Sequence, residues 1–80
     1  MDFKEWLIKE KKYTERSASD VISRNQRVKK ILNIKEITSY TEKKLENEEK
    51  FRKLSCSVKS QLRISIRTLL EYKGAIEEND

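Results

Sequence analysis

Histidine and proline are absent from this chain, glycine and cysteine occur once each, as Gly74 and Cys56, and no long apolar run exists. Without histidine and with a single cysteine, the usual zinc ligand sets cannot be assembled, so no metal site is expected. A lone Cys56 forbids an internal disulfide, is read as a buried or inert thiol, and suits a cytoplasmic home. One glycine excludes a glycine-rich phosphate loop. No stretch approaches the roughly 20 apolar residues of a spanning helix, and charges interrupt the N-terminal segment where a secretory signal needs a continuous apolar region. The carboxylates lie among lysines, in the pattern of a solvated face. No catalytic residue and no cofactor is therefore expected, and the domain by itself is read as non-enzymatic.

What is present is charge. Of 80 residues, 41% are charged and 35% hydrophobic, with a net charge of +5. That composition supports one domain with one small core, because a chain this short buries only about 60–65% of the surface its unfolded form exposes. The positive balance favours a polyanionic partner. The near absence of glycine and proline, with no alternating β-branched run and no Asn-Gly or Asp-Gly turn, makes the expected fold all-α.

The pattern predicts four helices in residues 1–74 and an acidic, frayed tail over 75–80. The first runs from the N-cap Asp2 to about Glu10, with Phe3, Trp6 and Leu7 on one apolar face. Trp6 is read as a core anchor, with base stacking as the sharper alternative. Lys11 to Arg16 connects, and Tyr13 folds back onto the core. Ser17 or Ser19 caps a second helix through about Leu32, whose apolar arc of Val21, Val28 and Leu32 also contains Asn25. Asn33 to Ile37 turns the chain. Ser39-x-x-Glu42 matches a capping box for a third helix to roughly Leu54, with Leu45, Phe51, Leu54 and Tyr40 as its apolar points. The fourth helix, Ser57 to about Lys73, carries the stripe Val58, Leu62, Ser65, Ile66 and Leu69, and Gly74 stands at its expected C-terminal cap.

Two faces stand out by their charge. On the second helix Ser19, Ser23, Gln26, Arg27 and Lys30 form a polar surface without an acid, whereas an ordinary solvated surface mixes signs. On the fourth, Lys59, Arg63 and Arg67 repeat every four residues along one flank of the core stripe, with Ser60 beside them. A Lys/Arg stripe next to a buried face suits a phosphate backbone.

The order Phe3-x-x-Trp6-Leu7, a loop with Tyr13, Ser17 opening a long helix, and a segment around Thr38 to Leu54 is followed by Ser57-Val58-Lys59-Ser60-Gln61-Leu62-Arg63-Ile64-Ser65-Ile66-Arg67-Thr68-Leu69-Leu70-Glu71-Tyr72. This layout resembles the N-terminal core-binding domain of tyrosine recombinases, the phage-integrase and Xer-like family, also called a SAM-like helical domain. The closing segment is similar to the family's final "S-x-x-T-x-x-x-x-L-x-x-L-R-x-F-x-x-Y" helix. The resemblance implies a compact four-helix orthogonal bundle, in a bacterial or phage-encoded protein, that clamps double-stranded DNA during site-specific recombination. It implies contacts from Ser19, Ser23, Arg27 and Lys30 on the second helix and Lys59, Ser60, Arg63 and Arg67 on the fourth. Thr14 and Arg16 would reach the backbone. In the family a tyrosine nucleophile and its arginines, lysine and histidines lie in a separate catalytic domain. That domain and other recombinase protomers are the further partners implied. Tyr13, Tyr40 and Tyr72 are read as core or rim aromatics.

Two other readings use the same residues. A small helical protein-interaction module would anchor its partner through exposed Ile22 and Ile64. A stand-alone helix-turn-helix regulator would need a tight glycine-containing turn between short helices, which is missing here.

Overall fold

Asp2 starts the first helix as its sequence context suggests, its carboxylate accepting a hydrogen bond from the Glu5 backbone N–H at 2.8 Å. The structure, a computed structural model, describes residues 2–78 and is all-helical over them. Five helices follow in order: α1 (Phe3–Lys9), α2 (Glu15–Leu32), α3 (Thr41–Glu46), α4 (Glu49–Arg52) and α5 (Cys56–Glu78). Glu5 in the first turn of α1 and Lys9 in its last complement the helix dipole. The chain then reverses through Lys12, which takes a left-handed φ of 59°, and the Tyr13 N–H returns to the Leu7 carbonyl at 3.0 Å.

α2 begins earlier than either serine candidate. Thr14, not Ser17 or Ser19, is its N-cap, and its hydroxyl accepts from the Ser17 N–H at 3.1 Å. Both serines lie inside the helix, and Ser17 serves as the capped donor. At the other end Asn33 takes the left-handed conformation that glycine usually supplies, and the Ile34 N–H closes back to the Lys29 carbonyl at 3.0 Å.

The single third helix expected from the sequence is two short ones. α3 has no side-chain N-cap, and the Ser39–Glu42 capping box does not form; Thr41 instead turns its hydroxyl back to accept from the Thr38 N–H at 2.8 Å. The break has a geometric cause. On a continuous helix Leu45 and Leu54 would fall about 180° apart, and Leu45 and Phe51 about 120° apart. Breaking the helix near Asn47 lets all three reach one core, with Leu45 and Phe51 buried and Leu54 packed against them. Tyr40, counted among the apolar points, is instead 70% exposed.

α5 starts at Cys56, where the Ser55 hydroxyl accepts from the Val58 N–H at 3.3 Å. It runs through Gly74, which therefore does not cap it, and Ala75 packs beyond that point. Asn79 and Asp80, the end of the expected acidic tail, lie outside the described residues. Cys56 is exposed, so of the buried or inert thiol expected the structure removes the buried alternative.

α2 and α5 form the most extensive helix pair. They carry two apolar clusters. One gathers Val28, Ile37, Leu45, Phe51, Leu62 and Ile66. The other gathers Trp6, Leu7, Ala18 and Val21, with Phe3, Tyr13 and Tyr72 packed on it. Trp6 is an anchor here, its ring 6.3 Å from Phe3 and 5.4 Å from Tyr72. On α2 the buried residue between the two clusters is Asn25, and neither its Nδ2 nor its Oδ1 has a hydrogen-bond partner. On α5 the buried hydroxyls of Ser65 and Thr68 are satisfied by the carbonyls of Leu62 and Ile64, at 2.7 and 2.8 Å.

Candidate nucleic-acid interface

α2 buries Ala18, Val21, Asn25 and Val28. At about 100° per residue, that places Ser19, Ser23, Gln26, Arg27 and Lys30 on the outward side, and all five are exposed. Arg16 is exposed too. Because α2 starts at Glu15, Arg16 is helical and joins the same arc, roughly 100° wide. It becomes part of the face rather than of a preceding loop. From Arg16 to Lys30 the face runs about 21 Å.

From Val21 to Lys35 the chain contains Arg24, Arg27, Lys29, Lys30 and Lys35 and no acidic residue. Among the described residues no ion pair engages any of these five side chains. Ser23, Gln26, Arg27, Lys29, Lys30, Asn33 and Ile34 line one shallow depression over the second half of α2. Lys29 and Asn33 escaped the sequence reading because they sit beside the polar arc, not within it. Their signal was position, since cations in the last helical turn also complement its dipole.

The α5 flank is arranged differently. Arg63 Nε lies 2.6 Å from Glu46 Oε1. Arg67 binds Glu42 with two hydrogen bonds, Nη2 to Oε1 at 2.6 Å and Nε to Oε2 at 3.3 Å. That hydrogen bond and the charge of Glu42, with a smaller contribution from Glu46, raise the pKa of Arg67 above its ordinary value. Lys59 Nζ and Arg63 Cζ lie over the Phe51 ring, at 5.9 and 5.4 Å from its centroid. Among the described residues Arg63 and Arg67 are thus compensated by α3, Lys59 meets only the Phe51 ring of α4, and the α3 glutamates are not merely solvated. The sequence did carry this signal. Glu42 and Glu46 share the four-residue spacing of Arg63 and Arg67, as two matched helical pairs require.

Ser60, Arg63 and Arg67 line a second depression with Glu46 and Ile64, separate from that on α2. Thr14 is engaged in capping, and Arg16 stands just past it. Ile64 is 54% exposed, whereas Ile22 is only half-buried and so is not the exposed anchor expected of it. No helix among the described residues is long and apolar enough to cross a membrane.

No protein-family model matches the chain, and neither the curated proteins nor the solved structures contain a match to it.

Proposed function

We propose that this chain is a DNA-binding domain that lies on duplex DNA through the acid-free face of α2. The observation that carries this reading is the set of uncompensated cations at Arg16, Arg27 and Lys30, with Ser19, Ser23 and Gln26 between them. The lysine and arginines neutralise phosphates and release counterions, which gives affinity with little sequence preference. Arg27, Ser23 and Gln26 have the chemistry to read base edges as well. The α5 residues Lys59, Ser60, Arg63 and Arg67 form a secondary surface, because the charges of Arg63 and Arg67 are met by α3.

The resemblance of the helix order to the core-binding domain of tyrosine recombinases extends the proposal. In that role α3 and α4 together stand for the third helix of a four-helix, SAM-like bundle. The partners are duplex DNA, a catalytic domain and other recombinase protomers, the context is site-specific recombination, and the setting is cytoplasmic. A lone module of this size buries about 600–1,000 Å² on DNA, so isolated binding is weak and attachment to a second DNA-contacting domain strengthens it.

Fluorescence anisotropy with a labelled mixed-sequence duplex, titrated at several salt concentrations, tests the proposal. Binding at low salt that falls linearly in log–log form is the expected result. Absence of binding near 50 mM salt, where phosphate contacts dominate, overturns it. The exposed Ile64 favours a second reading, a protein-interaction module. In that case Ile64→Ser abolishes partner capture while Arg27→Ala leaves it intact.

A further inference from the structure

The two ion pairs between α3 and α5 have a regular geometry. Glu42 and Glu46 are one helical turn apart on α3, Arg63 and Arg67 one turn apart on α5, and they meet in reversed order. Two carboxylates held this way present oxygens to guanidinium groups as successive phosphates of a backbone do, because Arg–carboxylate and Arg–phosphate pairing share the same planar fork. We propose that Glu42 and Glu46 are a built-in competitor for phosphate, masking a second DNA-contact surface formed by Ser60, Arg63 and Arg67. This inference rests on the DNA-binding reading and adds a control on it.

Three further observations support the competitor role. The Arg67 side chain is 65% exposed, so a phosphate reaches it without crossing the core. Ser60 and both arginines share one open depression with Glu46, so displaced carboxylate and incoming phosphate use the same space. Finally, α3 spans only Thr41–Glu46, and no side chain caps its N-terminus. Its hold on the core comes through buried Thr41 and Leu45, while the side chain of Glu46 is 48% exposed and that of Glu42 28%, so water reaches both ion pairs. Without DNA the pairs keep the α5 flank electrically quiet, and the α2 face makes the first contact. With DNA seated on α2, phosphates compete with the carboxylates, and the second surface engages in only a fraction of the complexes. The domain then resists sticking to any polyanion through α5 alone.

The test uses the whole chain and a labelled mixed-sequence duplex, read by anisotropy across a salt series. Four proteins are compared: wild type, E42Q/E46Q, E48Q/E49Q, and E42Q/E46Q combined with R63A/R67A. Neutralising Glu42 and Glu46 frees two arginines, so affinity rises roughly tenfold at low salt and the log–log slope steepens by up to about 1.8. E48Q/E49Q makes the same change in net charge away from the arginines, and it gives a much smaller gain. Adding R63A/R67A cancels the gain. No gain in E42Q/E46Q, an equal gain in E48Q/E49Q, or a gain that survives R63A/R67A overturns the proposal.

If E42Q/E46Q does not fold, as circular dichroism would report, the wild type supplies the test. The Nε–H resonances of Arg63 and Arg67, both hydrogen-bonded to the glutamates, are followed during DNA titration by NMR. Movement of both supports the exchange; resonances unmoved at saturation overturn it. Failure of wild type and E42Q/E46Q alike to bind sinks the DNA reading and this proposal together. Wild-type binding without a gain sinks this proposal alone.

Discussion

Lys73 donates a hydrogen bond from Nζ to the carbonyl oxygen of Ile37 across 2.7 Å, tying the late part of α5 to the connection after α2. Ile37 is fully buried, so this bond serves a carbonyl in a connection that has no helical ladder of its own. The same ammonium lies 3.5 Å from Glu36, whose side chain is 77% exposed. Of the two interactions the first matters more for stability, because an exposed ion pair contributes at most about 1 kcal/mol.

Lys73→Met keeps the aliphatic stem and removes the donor. The Ile37 carbonyl then has no partner, and the variant is expected to be less stable by about 1–3 kcal/mol. For a domain this small each kcal/mol lowers Tm by roughly 4–8 °C. Glu36→Gln should shift the melt far less. Superimposable thermal melts for Lys73→Met and wild type would show that the bond contributes nothing.

Gly74→Ala is expected to stabilise. Gly74 sits inside α5 without a positive φ, and a methyl group added there meets nothing within 4 Å. Alanine in such a helical position is better than glycine by about 0.5–1 kcal/mol. Urea denaturation measures it directly; a lower midpoint would mean that the position needs glycine's backbone freedom after all.

Asn25→Leu is expected to raise stability by about 1 kcal/mol or more, since it replaces a buried amide without partners by an apolar group of similar size. Asn25→Asp should do the opposite and by a larger margin, because an unpaired charge replaces an unpaired dipole. The pair of chemical-denaturation curves decides. If leucine destabilises, the amide has a role in the fold that its missing hydrogen bonds conceal.

Arg27→Ala/Lys30→Ala should flatten the log–log salt dependence of DNA binding by up to about 1.8, as each truncated side chain leaves one phosphate to its counterions. Arg63→Ala/Arg67→Ala should flatten it less, because those arginines must first leave Glu46 and Glu42. Equal flattening by the two pairs would place the two surfaces on the same footing.

Much of this arrangement was legible in the sequence because periodicity reports which side of a helix is wet. The Phe3-Trp6-Leu7 face, the α2 arc with Asn25 in it, and the α5 stripe from Val58 to Leu69 all occupy the expected sides. Local chemistry was less decisive. Thr14 and Ser17 are both hydroxyl residues with capping ability, and only the turn at Lys12 and Tyr13 selects Thr14. The break between α3 and α4 follows from three apolar residues sharing one core, which is a tertiary demand without a glycine or proline to announce it. The compensated state of Arg63 and Arg67 was legible only by matching two helices, through the four-residue spacing they share with Glu42 and Glu46. A stripe read along one helix does not reveal what the neighbouring helix places against it.

The unsatisfied amide of Asn25 divides the interior into two unequal parts. The part around Trp6 has four buried members, Trp6, Leu7, Ala18 and Val21, against six around Phe51. Regions with less buried apolar surface open at lower free energy and exchange their amide hydrogens sooner. The α2 face spans this seam. Arg16 and Ser19 sit beside the smaller cluster, while Arg27 and Lys30 flank Val28 of the larger one. If the α2 face is the DNA-contact surface proposed above, a duplex would meet a firmer grip beside the larger cluster and a more adjustable one beside the smaller.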